Sequence, residues 1–154
     1  MELATDGAPM DTDKRYDWIT ERVIGLAFKL HNVLGGGFLE KCYENGLAHE
    51  LRKAGFRVQQ QHPIDVVYDG VVIGQYYADL LVEGVVIVEL KASASLDPTS
   101  TAQLINYLVA TRMPVGLIIH FGKRVTVRRI AGPELKSSSV SIGAPSVANT
   151  DSMT

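Results

Sequence analysis

The segment Val85-Val86-Ile87-Val88-Glu89-Leu90-Lys91 constrains the fold more than any other part of the chain. Four apolar residues in a row read as a strand covered on both faces, which places it in the middle of a sheet. Yet the strand ends in two ionised groups, Glu89 and Lys91, and the strand before it, Tyr76 to Val82, carries a third, Asp79. A lone carboxylate removed from water is costly, so these groups need partners. Whether they can meet depends on the turn. A two-residue Glu83-Gly84 loop sets Asp79 opposite Val88 and sends Asp79 and Glu89 to opposite sides of the sheet. A three-residue loop of Val82, Glu83 and Gly84, with Gly84 left-handed in a G1 bulge, sets Leu81 opposite Val85, Asp79 opposite Ile87 and Tyr77 opposite Glu89. Asp79, Glu89 and Lys91 then share one face. Glycine occupies the residue that must take positive φ, and this second register is the prediction.

The rest of the chain supplies the layers that such a strand requires. Ile19, Val23, Leu26, Ala27, Leu30, Val33 and Leu34 recur at helical spacing until Gly35-Gly36-Gly37 stops them. A second helix follows with Leu39, Tyr43, Leu47, Leu51 and Ala54 as its stripe, Gly55 as its left-handed cap, and Gly46 inside it as a place of close packing. The period then changes to two. Three strands are joined at Asp69-Gly70 and Glu83-Gly84, and Pro63 marks the first as an edge or a bulged strand. Asp97-Pro98 opens a third helix running to about Thr111, with Thr101, Leu104, Ile105 and Leu108 inward. Two strands end the pattern, near 115–120 and 125–130. A helix between strands 85–91 and 115–120 suits a crossover joining parallel neighbours. The expected fold class is α/β: a mixed sheet, with an antiparallel three-strand meander and a parallel crossover strand, flanked by helices.

At 154 residues, one domain is expected over about 15–130, with residues 1–14 and 131–154, poor in large apolar side chains, read as disordered tails. The formal net charge of −2 announces no polyanionic partner, although residues 15–130 hold 13 Lys and Arg against 11 Asp and Glu. Cys42 is the sole cysteine, which excludes an internal disulfide and a cysteine-cluster metal site. No apolar run approaches the roughly 18 residues of a membrane span. A cytoplasmic protein without membrane contact is the expectation.

Two carboxylates on one face repel by about 4 kcal/mol at ~4 Å and an effective dielectric near 20. Lys91 offers one compensating charge. A doubly charged hard ion taking carboxylate oxygens, a carbonyl and waters matches better, and an ammonium beside it can orient a water or shield charge on a transferring phosphoryl group. A simple Glu89–Lys91 ion pair at the wet end of the strand is the bland alternative.

Asp79, nine residues, then Glu89-Leu90-Lys91, on the second and third strands of a meander with a helix before and a helix-strand unit after, resembles the PD-(D/E)XK nuclease superfamily. Gly37-Phe38-Leu39-Glu40-Lys41-Cys42-Tyr43 is similar to the G-x-x-E-x-x-Y signature of the GxxExxY protein family, and the resemblance covers most of residues 17–130. It implies a restriction-endonuclease-like core with Mg²⁺ or Mn²⁺ held by Asp79, Glu89 and the Leu90 carbonyl; the leading reading is a metal-dependent nuclease acting on DNA, with RNA left open as the substrate. Lys91 would assist the hydrolytic water, and Glu40 would complete the metal shell directly or through water. Gln103 and Tyr107 match a Q-x-x-x-Y element on the following helix; at i and i+4 they share a face distinct from that of Leu104 and Leu108. Ala78 stands where the superfamily's name has Pro, Gly36 replaces the more usual Pro of Gly-Pro-Gly, and His120 replaces Asn before Phe-Gly.

Other residues read more plainly. Gly35-Gly36-Gly37 lacks a preceding strand and a following Lys-Ser/Thr, so it is a helix-helix turn and no phosphate loop. Tyr43 belongs to the apolar stripe, with a hydroxyl able to brace Glu40. His31, His49, His62 and His120 show no metal-ligand spacing, and Lys123, Arg124, Arg128 and Arg129 form a basic cluster able to track phosphates. Two other functions remain open: a nucleic-acid or protein-binding module that keeps the fold without turnover, and hydrolysis of a small phosphoester.

Overall fold

The computed structural model describes residues 14–95 and 97–133. The two tails expected from composition fall almost wholly outside them. The elements follow the expected order: α1 (Asp17–Leu34), α2 (Glu40–Lys53), β1 (Val58–Tyr68), β2 (Val71–Val82), β3 (Val86–Lys91), α3 (Thr99–Thr111), β4 (Val115–Phe121) and β5 (Val125–Ala131). They build one five-stranded sheet in the order β1-β2-β3-β4-β5. Only β3 and β4 run parallel, joined through α3, and the other neighbours are antiparallel. This is an α/β, restriction-endonuclease-like architecture.

The sheet is covered on both faces. On one side α1 and α2 pack Ile19, Val23, Ala27, Leu47 and Leu51 against Leu80, Val82, Val86, Val88 and Leu90. On the other, Leu104 and Leu108 of α3 meet Leu81, Ile87 and Ile118. Even-numbered residues of β3 thus face α1 and α2, while Ile87 faces α3, so β3 and the wholly buried β4 form the double-covered centre. Burying side chains of this size stabilises by roughly 1.5–3 kcal/mol each, and the double cover concentrates that gain in the centre.

Several local expectations hold and several do not. Gly46 lies against α1: a Cβ there would meet Leu30 Cδ1 at 2.8 Å. Gly55 takes φ 96° and closes α2, with Phe56 N–H donating to the Leu51 carbonyl. Asp97 Oδ1 accepts from Thr99 N–H at 3.0 Å, the capping contact expected of it. In contrast, Val33 is 77% exposed and Leu39 78% exposed, so neither belongs to the core stripe. Both lie beside the glycine turn between α1 and α2, where the helical period ends and no longer dictates burial. In α3 the stripe is Ser100, Leu104, Tyr107 and Leu108, and Ile105 lies outside it.

No described helix is long and apolar enough to cross a membrane. β1 is an edge strand, consistent with Pro63, and the Asp69-Gly70 turn has both residues left-handed, the conformation that matches hairpin twist.

The seat of α3 is set by Gly116, because a Cβ there would stand 2.8 Å from Cδ1 of the fully buried Leu104. Gly116→Ala is therefore expected to lower unfolding free energy by about 1–3 kcal/mol through overpacking. Urea denaturation checks this, and an unchanged midpoint would contradict the packing described.

Candidate metal centre at the fork between β2 and β3

The turn after β2 departs from the predicted register. Glu83 and Gly84 both adopt left-handed φ, 54° and 70°, and Val85 N–H donates to the Val82 carbonyl. Val85 is then an extra residue, and pairing starts at Val82 with Val86 and continues through Leu81 with Ile87 and Leu80 with Val88. The predicted pairs of Leu81 with Val85, Asp79 with Ile87 and Tyr77 with Glu89 are wrong by two positions along β3. Glu83 tolerates its conformation because it is clamped to Arg57: its N–H donates to the Arg57 carbonyl at 2.9 Å, and its carboxylate accepts from Arg57 N–H at 2.8 Å. An offset of two keeps every side chain on its expected face while changing what stands opposite what.

Continuing this register brings Asp79 opposite Glu89, and there the backbone ladder gives way to side chains. Leu90 N–H donates to Asp79 Oδ2 at 2.8 Å, and Asp79 N–H donates to Glu89 Oε2 at 3.3 Å. The strands fork, and each carboxylate takes a backbone donor of the opposite strand. Glu89 is only 5% exposed. Burial first, and then the charge of Asp79, push its carboxyl up to about 8. Burial likewise raises Asp79, against the Leu90 N–H and the Gln61 amide, which favour its ionised form.

A model of the PD-(D/E)XK nuclease superfamily matches residues 17–130. The chain belongs to that superfamily. No curated protein matches it. Among solved structures, it is similar to the crystal structure of SSO0001, with 16% identity and a TM-score of 0.49 over 82% of this chain and 68% of that one. It is also similar to the alkaline exonuclease LHK-Exo from Laribacter hongkongensis, with 13% identity and a TM-score of 0.43 over 80% of this chain and 85% of that one.

In this PD-(D/E)XK chain the remaining residues of interest stand at different distances from the fork. Lys91 is half-buried, and its charge favours the ionised form of both Asp79 and Glu89. Glu40, the first residue of α2, is exposed; its charge adds to the upward push on Glu89. Leu90 joins through its N–H. Gln103 and Tyr107 line, with Lys91 and Tyr76, a cleft of about 1040 Å³ between α3 and the β1–β2 hairpin. Asp79 and Glu89 are not among its lining residues, so the cleft reaches the fork from the Lys91 end. Tyr107 is buried with Leu104 and Leu108, contrary to the expectation that it sits apart from the core stripe. Its hydroxyl is pushed up to about 12, by burial and then by the charge of Glu89, so it remains a proton donor at neutral pH.

The donor set suits a hard divalent cation. Its atoms are carboxylate oxygens, and two acids buried side by side ionise together only against the cost that pushes Glu89 up, a cost that a doubly charged ion would offset. Among the described residues no group of three or more Asp, Glu, His or Cys side chains closes on one point. The pair could hold such an ion only with backbone oxygen and water completing the shell.

Other residues take structural parts. Tyr43 OH donates to the Gly35 carbonyl at 2.7 Å and accepts from Phe38 N–H at 3.2 Å, so it braces the glycine turn and not Glu40. His31 and His120 each place Nε2 2.8 Å from a carbonyl, of Gly122 and Ser93 respectively. A carbonyl only accepts, so Nε2 carries the proton in both. His120, the β4 partner of Lys91, thereby ties down the chain just after Lys91. Arg129 pairs with Asp17 at 3.1 Å, which removes it from the basic cluster.

Sequence reasoning missed Glu44 and Gln61. Glu44 is 4% exposed on α2 and accepts from Gln60, Gln61 and Lys41. The signal was available, since Glu44, Leu47, Ala48 and Leu51 share the buried stripe. Gln61 holds φ 53°, a left-handed conformation costing about 1–3 kcal/mol outside glycine.

Glu89 gives a pH prediction for the metal-free protein. Its folded-state value lies above the ordinary 4.5, so the folded chain binds the extra proton. That stabilisation is complete below about 4.5 and is lost as pH rises through about 8. The melting temperature of metal-free protein should fall between pH 5 and 8.5, and Glu89→Gln should flatten the dependence. Parallel curves for the two proteins would contradict the assignment.

Proposed function

We propose that this chain is a metal-dependent nuclease of the GxxExxY type that hydrolyses phosphodiester bonds in DNA, using Mg²⁺ or Mn²⁺, in the cytoplasm. The single observation carrying this reading is the pairing of Asp79 and Glu89 across the strand fork, with Lys91 two residues further along β3. Asp79, Glu89 and the Leu90 carbonyl would hold the ion, and Glu40 would act on the shell from the start of α2. When bound, such an ion supplies the charge that polarises a phosphodiester and acidifies water.

The protein's own groups supply the rest. Lys91 stands between the fork and the cleft, where its ammonium orients the attacking water or shields charge developing on the phosphate. Gln103 and the protonated hydroxyl of Tyr107 offer hydrogen bonds to phosphate oxygens entering from the cleft. The cleft's volume is that of a site for a small ligand, enough for a nucleotide or two at the end of a strand. Tyr76, 48% exposed on its wall and 5.8 Å from the Tyr107 ring, offers a face for a base. Membership of the superfamily supports nucleic acid as the substrate.

Cleavage of single-stranded, duplex, flapped and RNA oligonucleotides should require Mg²⁺ or Mn²⁺ and favour DNA. Glu89→Ala should lower the rate by at least about 10²–10³-fold, the loss typical of removing one group that stabilises transition-state charge. Undiminished cleavage by purified Glu89→Ala would contradict the assignment.

Tyr76→Ala should raise KM about five- to 150-fold, from the roughly 1–3 kcal/mol of one base stack, and leave kcat within about twofold. An unchanged KM would remove Tyr76 from substrate binding.

A further inference from the structure

Two neighbouring glutamines of β1 point the same way, which a regular strand forbids. Gln60 Nε2 lies 2.8 Å from Glu44 Oε2, and Gln61 Nε2 lies 2.9 Å from Glu44 Oε1. The left-handed φ of Gln61 is the local cause, because it breaks alternation at that residue. The ladder between β1 and β2 records the break: Gln60 pairs with Leu80 and His62 with Ala78, while Gln61, which would face Asp79, is unpaired. The turned side chain reaches Asp79 as well, with Nε2 3.2 Å from Oδ1.

One amide therefore spends its two N–H groups on two carboxylates. The orientation is fixed by chemistry, since a flipped amide would direct its oxygen at two acceptors. Glu44 is itself held, by Gln60 and by Lys41 at 3.1 Å, and so gives the Gln61 amide a rigid anchor on α2. Asp79 is left with both oxygens engaged, Oδ1 by Gln61 and Oδ2 by Leu90 N–H. Its rotamer at the fork is then determined from two sides, by β1 and by β3. A ligand carboxylate needs this kind of support, because outer hydrogen bonds orient it and tune its affinity.

We propose that Gln61 is the positioning residue of the metal centre, held in a strained conformation so that its amide, anchored on Glu44, fixes the Asp79 carboxylate for the ion. This rests on the metal-dependent reading above. It goes beyond that reading by assigning a role to a residue outside the D…E-x-K pattern and a reason for the backbone irregularity of β1.

The inference separates from a purely structural role because strain and function pull in opposite directions at this residue. Gln61→Gly accepts the left-handed φ freely but has no amide. Gln61→Asn also tolerates that conformation but is one methylene too short to span both carboxylates. Titration calorimetry of the full chain with Mn²⁺, alongside thermal melts, should compare the wild type, both variants and Asp79→Ala. Expected are binding by the wild type, none by Asp79→Ala, and a Kd raised at least tenfold in both Gln61 variants, whose melting temperatures stay within a few degrees of the wild type. If the wild type itself binds no Mn²⁺, the metal-dependent reading falls and takes this inference with it. If the wild type binds and the Gln61 variants bind equally well, or lose affinity only in step with a large loss of melting temperature, the inference alone is overturned.

Discussion

The structure turns on two carboxylates that replace a piece of backbone ladder. Where β2 and β3 separate, Asp79 accepts the Leu90 N–H and Glu89 accepts the Asp79 N–H. A fork in a sheet normally leaves backbone donors without partners, which is costly when buried. Here the acids satisfy them, and the fork in turn brings the acids together. Repulsion between the two charges and their loss of water remain, as the upward displacement of Glu89 records. A cation of charge two answers both costs at once, and so the feature most unfavourable to the folded chain alone is the one best suited to metal chemistry.

Everything around the fork holds it in place. β3 and β4 are buried on both faces, which gives the Glu89 strand little freedom. His120 ties the chain just beyond Lys91, and α3, seated on Gly116, carries Gln103 and Tyr107 to the cleft. From the other side α2 presents Glu44, and β1 distorts at Gln61 to connect it with Asp79. Strain in β1 and charge crowding at the fork are local costs, tolerated because a well-packed double-layered core over-determines the backbone.

Much of this was legible in the sequence, for identifiable reasons. Long periodic helices, an apolar run at β3 and a helix between β3 and β4 specified the order of elements and the parallel pair. The shared face of Ile87, Glu89 and Lys91 followed from alternation. The pairing partners did not, because Val82, Val85, Val86 and Val88 are interchangeable to the hydrophobic pattern, and only the Glu83–Arg57 clamp explains why Glu83 turns left-handed. Val33 and Leu39 misled because apolar character near a glycine turn carries no guarantee of burial. Gln61 was invisible for a deeper reason. Its role depends on a conformation that strand propensity disfavours, and nothing in Gln59-Gln60-Gln61 announces which of three identical residues will break alternation.

The central claim is that one divalent ion sits between Asp79 and Glu89. Crystals soaked in Mn²⁺ and measured at the manganese absorption edge test it most directly. An anomalous peak is expected within about 2.0–2.6 Å of oxygens from both side chains, the range for hard cations on carboxylates. A fork without such a peak, beside carboxylates still joined as they are here, would contradict it.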